Sequence, residues 1–281
     1  MEMPISNLRE IAPNLEPGGQ GWWESRVLSR VSYPEEGNGL CFLIEDSSFW
    51  FAHRNRCILE AMKLFPPAGT LFDVGGGNGY VARGIQDSGL EVVLVEPGLE
   101  GVRNAVKRGI REVVRATLED AGVLAETLPA VGLFDVVEHI RDDQSFLTGI
   151  NRLLVPGGRV YVTVPAYQWL WSDEDTLAGH ARRYTVGALR HVLDRAGYTV
   201  EFVTYFFGFL PLPILLRRVL PYRLGFAPKK LTEDSVRLDH ELGHGLAGRM
   251  LEMLTRSELT RIAGGRPVRM GGSCLAVARK R

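Results

Sequence analysis

The chain has 281 residues, enough to bury a full core in one large domain with elaborations or in two small ones. Its 33 basic and 33 acidic residues cancel, which excludes a global field that would draw nucleic acid, and 45% apolar with 23% charged residues is the composition of a folded globular protein. Cys41, Cys57 and Cys274 form no CxxC pair, which argues against a disulfide framework or a cysteine zinc site and fits a reducing cytoplasm.

The opening stretch MEMPISNLREIAPNLEP has no basic segment followed by an apolar run, so no secretory leader is expected there. Residues 1–44 read as irregular, with a hairpin expected from 26–33 and 40–44 around Pro34-Glu35-Glu36-Gly37-Asn38-Gly39. A helix is predicted over 47–65, capped by Ser47 or Ser48 and stopped by Pro66-Pro67. Short apolar runs then alternate with helical segments. Strands are predicted over 70–74, 91–96, 112–116, 130–134 and 159–165, and helices near 79–88, 99–108, 118–126 and 142–154. Leu154-Val155-Pro156-Gly157-Gly158 reads as a helix stop and tight turn. Such repetition implies a mostly parallel sheet covered by helices on both faces. A further helix (186–196) and strand (198–206) follow, and 267–278 reads as the last strand.

Four segments are expected: an N-terminal extension and cap helix (1–65), a core (66–206), an insertion or lid (207–265) and the last core strand (266–281). The insertion begins with the apolar, Pro-rich FLPLPILLRRVLP, whose run over 205–216 is too short to span a bilayer. Residues 205–223 can serve as a substrate lid, as a core or dimer contact, or as a peripheral membrane contact with Arg217, Arg218 and Arg223 at headgroup level.

Strand 70–74 runs straight into Gly75-Gly76-Gly77-Asn78-Gly79 and a helix. Glycines there let backbone approach a ligand, and the helix supplies free N–H groups. Two ligands compete for such a turn at the carboxyl edge of a sheet. Gly77-x-Gly79-x-x-Ala82 satisfies the permissive dinucleotide fingerprint, with Glu96 available for a ribose hydroxyl. Asp73 opposes that reading, because a carboxylate at the strand tip repels a pyrophosphate. It suits a ligand with an ammonium group and no phosphate, and S-adenosylmethionine offers that ammonium and a ribose for Glu96.

At this point the chain resembles the class I S-adenosylmethionine-dependent methyltransferases. DVGGGNG is similar to their Asp/Glu-x-Gly-x-Gly-x-Gly motif and LVEPG to their acidic loop. LFDVVEHI and LLVPGGRVYVTVPA resemble their fourth and fifth strand regions. FWFAHRN and WLWSDEDTLAGHARRYT are similar to one branch, related to ubiquinone and menaquinone O-methyltransferases. The likeness covers roughly 45–206 and the last strand.

The resemblance implies a Rossmann-like, doubly wound α/β fold, with seven mostly parallel strands, an N-terminal cap and an insertion before the last strand. It further implies that Asp73, Gly75, Gly77 and Gly79 wrap the methionine half of the cofactor and Glu96 the ribose, with Pro97 at the adenine edge. Thr117 and Leu118 would line the adenine. Phe134 and Asp135 would sit beside the methyl group, and Arg54, under Trp50 and Phe51, would reach the cofactor carboxylate. S-adenosylhomocysteine would be the product, and the acceptor a small molecule, apolar or anionic, with oxygen favoured.

Methyl transfer from a sulfonium is an in-line displacement, so holding acceptor and methyl collinear supplies much of the rate. A base is needed where the acceptor must lose a proton. His139 and His180 are candidates, since histidine titrates near neutrality. Arg182, Arg183 and Tyr184 form an expected rim that binds an anion or pairs with Asp173, Glu174 and Asp175. The sequence His240-Glu241-Leu242-Gly243-His244 matches HExxH, but Ala247 and Met250 break the longer zinc pattern, and Glu252 and Glu258 stand at unpersuasive third-ligand spacings. No metal site is therefore expected. A nicotinamide oxidoreductase and a non-catalytic cofactor binder remain the alternatives.

Overall fold

The computed structural model describes residues 8–19, 21–27, 42, 44–225 and 246–281. The predicted hairpin falls almost wholly outside these residues, and the HExxH stretch lies outside them entirely.

One nine-stranded sheet organises the chain. Its strands are β1 (Leu15–Pro17), β2 (Trp23–Ser25), β3 (Leu71–Val74), β4 (Val92–Val95), β5 (Glu112–Arg115), β6 (Leu128–Phe134), β7 (Leu154–Pro165), β8 (Tyr198–Phe206) and β9 (Ser273–Lys280), in the order β1-β2-β5-β4-β3-β6-β7-β9-β8. From β2 to β7 every pairing is parallel, whereas β9 runs antiparallel to both β7 and β8. The expected architecture is present with two strands more than predicted. Strands β1 and β2 come from the stretch read as irregular. They are three residues each, too short to show a period, and Asn14 and Ser25 tie them down through the carbonyl of Asp120.

The central strands are apolar on both faces, as burial under helices on each side requires. Phe72, Val93 and Val95 point into one core with α5 (Asp143–Leu153) and α7 (Val186–Arg195). Their neighbours Leu71, Val92 and Leu94 point into the other, with α2 (Phe49–Leu64), α3 (Tyr80–Asp87) and α4 (Leu99–Lys107). The first helix, α1 (Leu8–Ile11), is a single turn that buries Leu8. Ser48 caps α2 by accepting from the amides of Trp50 and Phe51, at 3.2 and 3.4 Å.

Two local predictions fail for identifiable reasons. Residues 118–126 form turns rather than a helix, because after one turn closed by Ala121 N to Thr117 O the chain meets Gly122 at φ +68. The expected turn at 154–158 lies inside β7 as an excursion: Leu154 pairs with Leu128, and pairing resumes with Arg159 opposite Ala130.

Between β8 and β9 the chain forms α8 (Pro211–Ile214), a π turn over Leu215–Val219, α9 (Leu220–Arg223) and, beyond the undescribed stretch, α10 (Leu246–Ala263). An earlier short helix, α6 (Asp173–Leu177), lies between β7 and α7. Glu258 of α10, weighed above as a metal ligand, is committed elsewhere. Its Oε1 accepts from the Phe207 amide and meets His53 Nε2, both at 2.7 Å, and its Oε2 accepts from the Gly208 amide at 2.7 Å. One buried carboxylate thus joins α10, α2 and the exit of β8, and Cys57 Sγ lies 3.5 Å from the same histidine nitrogen.

Candidate functional site

At the carboxyl ends of β3, β4 and β6 the chain encloses a cleft of about 340 Å³. Asp73, Gly75, Gly76 and Gly77 contribute the first strand's loop, and Glu96 and Pro97 the second's. Phe134, Asp135, Val136 and His139 follow β6, and Trp50, Phe51 and Arg54 come from α2.

The glycine loop is shaped by close approaches. Gly75 and Gly77 have φ of +70 and +52, and a Cβ on Gly75 would stand 2.9 Å from Val136. A Cβ on Gly76 would stand 2.9 Å from both Asp73 Oδ2 and Leu94. Gly79 is not on the cleft wall. It begins α3 at φ +77, and a Cβ there would press on Ile110 at 3.0 Å, so this glycine serves the packing behind the loop.

Glu96 braces the loop: its two oxygens accept from the amides of Gly77 (3.0 Å) and Gly98 (2.7 Å). A second brace comes from residues that sequence reasoning passed over. Asn78 donates to Glu45 at 3.2 Å and accepts from Asn104 at 3.0 Å, while Arg108 donates to the Asn78 carbonyl at 3.1 Å and pairs with Glu45 at 2.7 Å. Burial pushes the Glu45 carboxyl up, and Arg108 opposes it. Glu45 and Arg108 lie 63 positions apart, and neither carries a local signal.

Asp73 behaves differently. It is buried, and neither carboxylate oxygen makes a hydrogen bond of ordinary geometry, the amide of Ala82 giving only weak support. Desolvation, opposed by Arg54 and reinforced by Glu96, pushes its carboxyl up to about 7. Arg54 pairs with Asp135 Oδ2 and lies over the rings of Trp50 (4.9 Å) and Phe51 (5.4 Å). Its buried Nε finds no acceptor. Asp135 sits at φ +58, a region aspartate tolerates better than most residues, and Thr163 Oγ1 donates to its Oδ1 at 3.0 Å.

Of the two histidines, His139 lines the cleft and His180 stands behind it, their rings edge to face at 4.8 Å. His180 Nδ1 meets Asp175 Oδ1 at 2.8 Å, and Arg183 Nε donates to the same oxygen at 2.7 Å. Burial pushes Asp175 up, but these two bonds outweigh it and hold the carboxyl below its usual range. Burial and the neighbouring His180 hold His139 below the usual histidine range. Glu138 is fully buried, with a carboxyl oxygen within 4.8 Å of a ring nitrogen of each histidine, and burial together with Asp135 raises its carboxyl far above normal.

Three predicted residues stand apart from the cleft wall. Thr117 Oγ1 accepts from the Asp120 amide at 3.0 Å, and Leu118 belongs to the core, so both close a turn. Tyr184 is buried, and its hydroxyl donates to Asp143 Oδ2 at 2.7 Å. Burial and that carboxylate push the phenol far above its ordinary range, and with the Tyr184 amide donating to Pro165 the residue braces the end of β7 against α5. The expected rim is likewise tied up, with Arg182 on Asp143 at 2.9 Å and Arg183 on Asp175.

Comparison with known proteins bears on this arrangement. A family model described as a methyltransferase domain matches residues 47–202, more than half of the chain. The chain is 25% identical over 161 residues to a probable S-adenosylmethionine-dependent methyltransferase of Mycolicibacterium smegmatis, covering 56% of this chain and 62% of that protein. It is 31% identical over 97 residues to the ubiquinone biosynthesis O-methyltransferase of Salmonella arizonae, covering 32% of this chain and 40% of that one. The chain therefore spans less than two thirds of the length of these relatives. Among solved structures, the fold is similar to phosphoethanolamine N-methyltransferase 2 of Haemonchus contortus in complex with S-adenosyl-L-methionine, at TM-score 0.55 and 19% identity over 91% of this chain and 60% of that one. It is also similar to a SAM-dependent methyltransferase of Thermotoga maritima, at TM-score 0.54 and 18% identity over 88% of this chain and all (100%) of that one. With the family model matched from the cap helix to β8, and the glycine loop, acidic strand tips and sheet order in place around one cleft, the chain belongs to the class I S-adenosylmethionine-dependent methyltransferase family.

Proposed function

We propose that this protein transfers the methyl group of S-adenosylmethionine to a small or medium-sized acceptor, with an oxygen atom preferred, and releases S-adenosylhomocysteine. The observation that carries the reading is Asp73: a buried carboxylate whose oxygens lack ordinary hydrogen bonds, at the mouth of a loop where a Cβ on Gly76 would crowd it. Such a group is costly unless a ligand donor meets it, and the cofactor's ammonium is that donor. The remaining residues fit the same group. Arg54 has an unused buried Nε for the carboxylate. Glu96, which accepts the Gly77 and Gly98 amides, stands on the cleft wall at the end of β4 where a ribose would lie. Gly75 and Gly77 keep backbone close to the ligand, with Pro97 at the adenine end and Phe134 and Asp135 on the methyl side. A dinucleotide would instead bring its pyrophosphate past Asp73.

When bound, the cofactor supplies an electrophilic methyl carbon. The protein's part is to hold the acceptor in line, exclude water and take the acceptor's proton. We assign the proton to His139, which lines the cleft and is held neutral by burial. His180, fixed through Nδ1 by Asp175, supports it from behind. The distant ubiquinone biosynthesis O-methyltransferase relatives support oxygen as the acceptor atom.

Calorimetry with S-adenosylhomocysteine, against NADH as a control, tests the cofactor, and methyl-labelled cofactor with candidate hydroxylated acceptors tests turnover. Binding of NADH in preference to S-adenosylhomocysteine would overturn the first. Binding without label transfer to any acceptor would leave a cofactor-binding protein and overturn the second.

A further inference from the structure

The segment leaving β8 turns leucines outward. Through α8, the π turn and α9 the chain is continuously helical, and Leu212, Leu216, Leu220 and Leu224 recur at every fourth residue. That spacing lays them along one slowly turning stripe. They are 63%, 54%, 39% and 72% exposed, whereas Pro211 and Val219 of the same segment are buried. One exposed leucine is ordinary; four spaced along one helical segment and its C-cap mark an interaction surface.

Charge decides what the stripe faces. Between positions 202 and 232 there is no Asp or Glu, while Arg217, Arg218, Arg223, Lys229 and Lys230 all occur there. Arg218 is used within the molecule, pairing with Glu174 at 2.5 Å and so fixing the segment against α6. Arg217 and Arg223 are exposed beside the leucines. Amphipathic rings complete the edge. Tyr222 is exposed on α9, and Arg223 Nη2 donates to the backbone carbonyl of Trp169 at 3.1 Å, which ties α9 to the turn that carries this exposed tryptophan.

We propose that this face seats the protein on an anionic lipid surface. The leucines enter the boundary between headgroups and acyl chains, Trp169 and Tyr222 take the interface, and Arg217 and Arg223 meet lipid phosphates. A second copy of the chain fits less well, because a two-fold contact between the two stripes would bring together arginines from both copies with no acidic residue of 202–232 to meet them. Among the described residues no helix is long and apolar enough to cross a membrane, so the contact is peripheral.

The test is co-sedimentation of the full chain with vesicles of phosphatidylglycerol and phosphatidylcholine, against vesicles of phosphatidylcholine alone. Binding is expected on the anionic vesicles and is expected to weaken with salt. The double variant Leu216→Ser/Leu220→Ser should lower partitioning at least about tenfold, and Arg217→Gln/Arg223→Gln should lower it roughly thirtyfold. Unchanged calorimetric S-adenosylhomocysteine affinity and thermal midpoint would show that both variants are folded. Absence of binding, equal binding to the uncharged vesicles, or binding indifferent to the leucines would each overturn the proposal. So would a wild-type dimer in sedimentation velocity that the leucine variant dissolves, since the stripe would then belong to a self-contact.

Discussion

The two ends of the cleft treat their polar groups in opposite ways. On the glycine-loop side, the braces are complete among Glu96, Asn78, Glu45 and Arg108, and one carboxylate, Asp73, is left over. On the histidine side, Asp175, His180 and Arg183 satisfy one another, as do Tyr184 and Asp143. Glu138 is buried with Oε2 unbonded and its carboxyl raised far above normal, and of these groups and His139 it is His139 that lines the cleft. The first arrangement stores an unmet charge for a ligand. The second spends its charges on holding a single ring in place.

The sharpest way to break this contrast is His139→Ala. Turnover should fall by about 10²–10⁴-fold, the range of general-base contributions, with S-adenosylhomocysteine affinity unchanged in calorimetry. Wild-type rate should rise as pH passes upward through a value below 6.5, since His139 is held below the usual range. That limb should be missing from the variant. Equal loss of rate and affinity would mean that the histidine side also holds the cofactor.

Asp73→Asn tests the other side. Loss of a buried charge partner should weaken S-adenosylhomocysteine binding by roughly 30–100-fold above pH 7. Without ligand the sign reverses for stability. A folded-state value of about 7 lies above the ordinary aspartate value of 3.8, so the folded protein binds the proton more tightly than the unfolded chain does. That contribution is complete below 3.8 and is lost as pH rises through about 7. The variant should accordingly raise the thermal midpoint at pH 8 and leave it near wild type at pH 5, in the ligand-free protein.

Smaller effects belong to residues outside both ends. Glu258→Ala leaves His53 and two amides without an acceptor and should cost about 3 kcal/mol in denaturant unfolding. Tyr184→Phe should cost about 1 kcal/mol and leave turnover within twofold of wild type, because the phenol only braces Asp143. A large loss of turnover with Tyr184→Phe would return the phenol to the chemistry.

What could be read from sequence followed the range of the interactions. The glycine loop and its flanking acids are contiguous, so strand, turn and helix start announce themselves together. Glu45 and Arg108 bracket Asn78 from opposite directions and could not be paired without the fold. The adjacency of His139 and His180 was equally hidden, since α5, β7 and α6 lie between them in the chain. Leu118 looked like the start of a helix because propensity does not register that Gly122 takes φ +68. Strands β1 and β2 escaped for want of length.

The insertion begins and ends at one point of the sheet. Phe206 and Ser273 face each other across β8 and β9, Gly272 donates its amide to the Phe207 carbonyl at 3.1 Å, and a Cβ on Gly271 would fall 2.1 Å from the Phe206 carbonyl oxygen. A segment pinned at both ends by adjacent strands adds little closure entropy as it lengthens. The sheet therefore presents that position as a socket, whose occupant can vary in length at little cost to the strands that hold it.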